Sequence, residues 1–175
     1  MEDAIRREMV ALLPRLRRFA CGLTGSLADA DDLVQSACER ALSRIGQWQP
    51  GTRLDSWMFR IAQNLWIDRI RQSRGREILL PAEALAERSV GDAVREQEAR
   101  LAMAAVRREI AKLPEDQRAV LMLVTVEGVS YKEASEILEI PIGTVMSRLA
   151  RARLALARAI EGGPANAGRR EESRR

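Results

Sequence analysis

Histidine is absent from all 175 residues, which removes the commonest general base and the commonest metal ligand. Cysteine occurs only at Cys21 and Cys38. That spacing is not a redox or metal pair, and each lies among apolar residues in a helical pattern, so both read as buried thiols in a reducing compartment. No Gly-rich phosphate loop is present. No catalytic residue, metal ligand or cofactor site is therefore nominated; an enzyme would have to work with carboxylates alone. Aromatic residues make up 3%, and long alternating runs of β-branched residues, the mark of strands, are missing. No apolar run approaches the roughly 20 residues a membrane helix needs. The opening stretch Met1 to Glu8 carries charges of both signs, unlike a signal peptide. The expectation is a cytoplasmic protein without membrane insertion.

What is abundant is Ala, Leu and Arg, all strong helix formers, within a 46% hydrophobic composition. The fold class expected is all-α: two small helical domains joined by a flexible linker. The formal charge is +4, the pI about 9.8, and Lys112 and Lys132 are the only lysines. Arginine's planar fork suits phosphates and guanine edges. A genome rich in G and C produces the same arginine excess, so position carries more weight than number.

The first block spans residues 6–72. Met9, Leu12, Leu13, Leu16 and Phe19 recur at helical spacing, with Pro14 expected to kink that helix or restart it. Thr24-Gly25-Ser26 breaks the pattern, and Asp29 to Asp32 place acid at the start of a second helix, where it suits the helix dipole. That helix sets Leu33, Val34, Ala37, Cys38, Ala41 and Ile45 against a polar side of Asp32, Gln35, Ser36, Glu39, Arg40 and Ser43. Gln49-Pro50-Gly51-Thr52 signals a turn. The third helix, Leu54 to Gln72, carries the stripe Trp57, Met58, Ile61, Ala62 and Leu65, with Arg60, Asn64, Ile67 and Arg71 on another face and Arg69 nearby.

Periodicity weakens over residues 73–92, which read as a linker with a short helical turn at Ala82 to Ala86. A second block covers 93–160: a helix to Leu113 ended by Pro114, another from Asp116 to Val126 stopped by Gly128, a third opened by a Ser130/Glu133 capping box, and a last one entered at Pro141. Residues 161–175 read as a disordered tail.

Ser130 to Arg158 has the layout of a helix-turn-helix, whose second helix enters the major groove by its N-terminal residues. From Ile142 to Ala159 that helix carries Arg148, Arg151, Arg153 and Arg158 and no acid, as a duplex-facing surface requires. Thr144, Ser147 and Arg148 lie near its start, where hydrogen-bonding groups meet bases. An ordinary solvated amphipathic helix would present a similar pattern. The third helix, with Arg60, Arg69 and Arg71, would make a second nucleic-acid contact; the same arginines also suit the wet side of a core helix.

With these motifs in place, the chain resembles the bacterial RNA polymerase sigma factors of the extracytoplasmic-function (ECF) type, the two-domain kind of the sigma-70 family. The resemblance is carried by Asp31-Asp32-Leu33-Val34-Gln35, the Trp57 to Arg71 helix, Leu113-Pro114-Glu115-Asp116-Gln117-Arg118, and Pro141 through Arg153, in that order. It implies a factor that directs RNA polymerase to promoters of stress-response genes. It places Asp31, Asp32, Gln35 and Glu39 on core RNA polymerase. It sets Asn64 near a pocket for a flipped base of the −10 element, with Arg60, Arg69 and Arg71 on phosphates. Met146, Ser147, Arg148, Ala150, Arg151 and Arg153 would face the −35 element. Trp57 is read as core; Trp66 suits either packing or base stacking. The resemblance also implies an anti-sigma partner. Many relatives carry Arg or Lys where Met146 stands and a bulky residue where Ala150 stands, so no base preference carries over there. The rival reading is a stand-alone helix-turn-helix regulator, dimeric on a two-fold DNA site.

Overall fold

The computed structural model describes residues 2–49, 51–74 and 95–161. Seven α-helices follow in order among them: α1 (Glu2–Thr24), α2 (Leu27–Ser43), α3 (Leu54–Arg74), α4 (Arg95–Lys112), α5 (Glu115–Leu121), α6 (Tyr131–Leu138) and α7 (Ile142–Glu161), with no strand. The all-α expectation holds. The expected linker lies outside the described residues apart from its first two positions, as do the turn at Ala82 to Ala86 and the tail beyond Glu161.

Helices α1, α2 and α3 form one packed unit. Leu16, Phe19, Leu23, Leu33, Leu54, Met58 and Phe59 are almost wholly buried. Phe19 and Phe59 meet edge-on at 5.2 Å, and the Arg15 guanidinium lies 5.4 Å above the Phe59 ring, both favourable arrangements of the aromatic quadrupole. Pro14 does not end the first helix: α1 runs through it as one element. Pro14 is exposed, while Met9, Leu16 and Phe19 are held in the core on either side, and tertiary burial outweighs the one lost backbone bond. Ser26 caps α2, its hydroxyl accepting from the Asp29 N–H.

The C-terminal helices pack around Val120, Leu123, Ile137, Val145 and Leu149. Residues Met122–Val126 form a π-helical turn, in which the Glu127 N–H reaches the Met122 carbonyl at 3.0 Å. Gly128 then takes a left-handed φ of 70°, as helix ends favour in glycine, and the Val129 N–H returns to the Leu123 carbonyl. The Ser130/Glu133 capping box forms as expected. Glu139, at φ 55°, makes the turn between α6 and α7. The last helix begins one residue later than Pro141, whose carbonyl accepts from the N–H groups of Thr144 and Val145.

The two halves touch along a charged seam. Arg15 on α1 binds Asp55 (2.9 Å) and Glu127 (3.1 Å), and Arg18 binds Glu127 (3.2 Å). Arg53 binds Asp55 at 2.7 Å and also pairs with Glu133. Arg60 donates to the Glu136 carbonyl on α6 at 2.8 Å. Beside these contacts α1 lies so close to the π turn that a Cβ on Gly22 would collide with the Met122 side chain, a close approach that glycine permits.

Candidate functional site

The residues singled out from sequence fall on three surfaces. On α2, Asp31, Asp32, Gln35 and Glu39 are all exposed along one polar face. The periodicity that buries Leu33, Ala37 and Ala41 turns these four outward together. Gln35 donates to the Glu39 carboxylate at 2.9 Å. Arg17 forks onto both oxygens of Asp31 at 2.6 and 3.1 Å, and this hydrogen bonding holds the Asp31 carboxyl below its ordinary range. The face is acidic and rich in acceptors, and Arg17 adds one cation at its edge.

On α3 the arginines divide. Asn64 and Arg71 are exposed. Arg69 turns back to α2, where it donates to the Ser36 hydroxyl (2.9 Å) and the Asp32 carbonyl (3.2 Å). Arg60 is engaged by α6, as above, with its Nε buried and without a partner. Of the four α3 positions, two are open to a ligand in this arrangement and two are spent on packing helices together. Trp57 and Trp66 are both half-buried against the core, and the Trp66 Nε1 is buried.

On α7, Val145, Leu149 and Ala152 are buried against the domain. The opposite side presents Met146, Ser147, Ala150, Arg151 and Arg153, all exposed. Arg151 and Arg153 have no hydrogen-bonding or ionic partner among the described residues. Arg148 differs: its Nε meets Asp116 on α5 at 2.9 Å. Thr144 is half-buried, and Ser147 donates its hydroxyl to the Thr144 carbonyl at 3.1 Å. What remains outward is a strip of small and apolar residues at the start of the helix, followed by unpaired cations.

Sequence reasoning missed the seam entirely. Its signal is one charged residue in an apolar run: Glu127 interrupts Ala119 to Val129, and its side chain is fully enclosed. Ile142 is also exposed on α7, although apolar residues at a helix start usually face a core. Among the described residues no cluster of His, Cys, Asp and Glu is arranged to hold a metal ion, and no helix is long and apolar enough to cross a membrane.

The described elements correspond to two known family models, Sigma-70 region 2 over residues 9–76 and Sigma-70 region 4 over residues 103–156. The chain is 38% identical over 156 residues to the ECF RNA polymerase sigma factor EcfG of Rhodopseudomonas palustris, covering 87% of this chain and 83% of that one. This chain belongs to the ECF sigma factor family. It is also 33% identical to SigW of Bacillus subtilis over 77% of its length and 76% of that protein's. Among solved structures it is similar to the sigma factor RpoE of Bartonella quintana, crystallised with the anti-sigma factor NepR. That likeness has a TM-score of 0.79 at 28% identity, over 93% of this chain and 99% of the other. The region 2 match covers most of α1 and all of α2 and α3, and the region 4 match runs from within α4 into α7.

Proposed function

We propose that this ECF sigma factor joins core RNA polymerase and brings it to promoters, acting by binding rather than by catalysis, in the cytoplasm. Two domains, 6–72 and 93–160, would be tethered by residues 73–92, so that binding of one raises the effective concentration of the other on the same duplex. The α2 face of Asp31, Asp32, Gln35 and Glu39 is the polymerase contact. Asn64 and Arg71 on α3 meet the −10 element, with Arg60 and Arg69 available once their present hydrogen bonds exchange. Thr144, Met146, Ser147, Arg148, Arg151 and Arg153 form the −35 contact. The observation that carries this reading is α7 itself: the outer helix of a helix-turn-helix, free of acid up to Ile160, with Arg151 and Arg153 exposed and without a partner among the described residues. An anti-sigma partner is supported by the similarity to a sigma factor that was crystallised with one.

The test is transcription from genomic DNA by core polymerase with and without the purified chain, with start sites mapped. New start sites in its presence support the reading. The joint change Asp32→Ala and Gln35→Ala should lower assembly with core polymerase in a competition assay. A chain that leaves initiation unchanged and binds a palindrome without polymerase would instead be a stand-alone regulator.

A further inference from the structure

We infer that Ile142 and Met146 set the base preference of the −35 contact, by packing against thymine 5-methyl groups in the major groove. The inference rests on the reading of α7 as the duplex-facing helix and names how that surface discriminates.

The polar side chains at the groove-entering end of α7 are largely engaged or turned aside. Arg148 is held by Asp116 at 2.9 Å. Thr144 is half-buried, and Ser147 spends its only proton on the Thr144 carbonyl. Gly143 has no side chain. The groups that remain outward are Ile142, 48% exposed, and Met146, 53% exposed. They stand one helical turn apart on the same side, with the small Ala150 one turn further. The unpaired cations Arg151 and Arg153 follow toward the C-terminal end, placed to hold backbone phosphates and thus to fix the register of the helix on DNA. In a strip so built the outward side chains are apolar, and the Arg148 guanidinium beside them is drawn toward Asp116 through its Nε. The one apolar feature that B-DNA displays in the major groove is the thymine methyl. The charge pattern around the strip favours duplex DNA as its occupant over an apolar protein surface: Met146 is followed by arginines and no carboxylate as far as Ile160.

The experiment uses the holoenzyme made from the full chain and core polymerase, on a promoter mapped by transcription. Each thymine of the −35 element is replaced in turn by deoxyuridine, which removes the methyl group and leaves every hydrogen-bonding atom in place. At one thymine or more, the unmodified holoenzyme should lose roughly four-fold in promoter affinity per methyl removed. Met146→Ala and Ile142→Ala should each flatten one of those responses, and the double variant should bind thymine and uracil promoters equally. Met146→Leu should restore discrimination. Both positions are exposed, so folding stays intact, as thermal unfolding will verify. The inference is overturned if no thymine in the element is sensitive, or if the double variant keeps the full ratio. It is also overturned if the variants lose polymerase instead of promoter, which would make the strip a protein-docking surface. Failure of the unmodified chain to join polymerase at all would sink the proposed function beneath it, an outcome separable from methyl-insensitive initiation.

Discussion

Arginine does two different things in this molecule, and the seam between the halves and the outer face of α7 separate them. At the seam, Arg15, Arg18 and Arg53 are spent on Asp55, Glu127 and Glu133, tying helices that lie far apart in sequence. On α7, Arg151 and Arg153 face water with no partner among the described residues. Charges of the first kind stabilise by satisfying partners wholly or largely withdrawn from water. Charges of the second kind contribute almost nothing to the fold and keep their full value for a polyanion. Composition cannot distinguish the two, since both are simply arginine. Neighbouring carboxylates decide it.

The largest expected effect tests the seam. The Glu127 carboxylate is enclosed and accepts from two arginines that are themselves partly in water. Glu127→Ala leaves Arg15 and Arg18 to rehydrate, so the loss falls below the value for a fully buried pair, at about 2–3 kcal/mol. Urea unfolding measures it. Arg153→Ala in the same assay should stay within about 0.5 kcal/mol. Similar losses for both would erase the distinction between the two regions.

Much of this was legible in sequence where a local rule governs. The capping box at Ser130 and Glu133, the break at Gly25, and the turn before α7 follow from residue chemistry within a few positions. The apolar stripes of α2 and α3 follow from a single helical period. What could not be read is pairing over long separations. Nothing local distinguishes Arg15, bound to a carboxylate 112 residues away, from an exposed arginine. Arg69 likewise has the spacing of a phosphate ligand yet reaches back to Ser36, because α2 and α3 cross there. Pro14 does not restart the helix for the same reason, since burial on both sides of it is a tertiary fact.

A second difference between the regions is their response to acid. Arg53 chiefly, then Arg15 and the Ser56 N–H, pull the Asp55 carboxyl from 3.8 to about 2, against the opposing effect of burial. A depressed carboxylate contributes stability that is present above its unfolded pKa and lost as pH falls through the folded one. The window is therefore pH 4 to 2, going down. Glu133, lowered by Ser130 and Arg53, acts in the same direction. Because Arg53 is open to water, the Asp55 contribution is discounted to about 1–2 kcal/mol at neutral pH. Asp55→Asn should remove it, with the wild-type and variant stability curves converging near pH 2. Curves that stay parallel across this window would mean the seam does not titrate through Asp55.

On α7 the effect should appear in binding instead. Arg151→Ala is expected to weaken promoter affinity of the holoenzyme roughly three- to ten-fold, uniformly across promoter sequences. It should also reduce the slope of log affinity against log salt by about 1, with assembly on core polymerase unchanged. A loss confined to one promoter sequence would reassign Arg151 from phosphate to base. An unchanged salt slope would remove it from the duplex altogether.

The smallest expected effect lies at Arg148, which belongs to both regions at once: it sits on the DNA-facing helix, yet it is paired as the seam arginines are. Asp116 is half-exposed and Arg148 about a quarter exposed, so their bond is worth under about 1 kcal/mol to the fold. Asp116→Asn should therefore change stability little. It should release Arg148 toward the duplex, raise promoter affinity about two-fold, and steepen the salt dependence by a fraction of one ion. Because the freed guanidinium brings hydrogen-bond donors to the groove-entering end, the variant should also gain preference for guanine within the −35 element. Affinity and base preference that both stay constant would show that Arg148 serves the fold in the bound state too. The apolar strip of Ile142 and Met146 would then be left to discriminate alone.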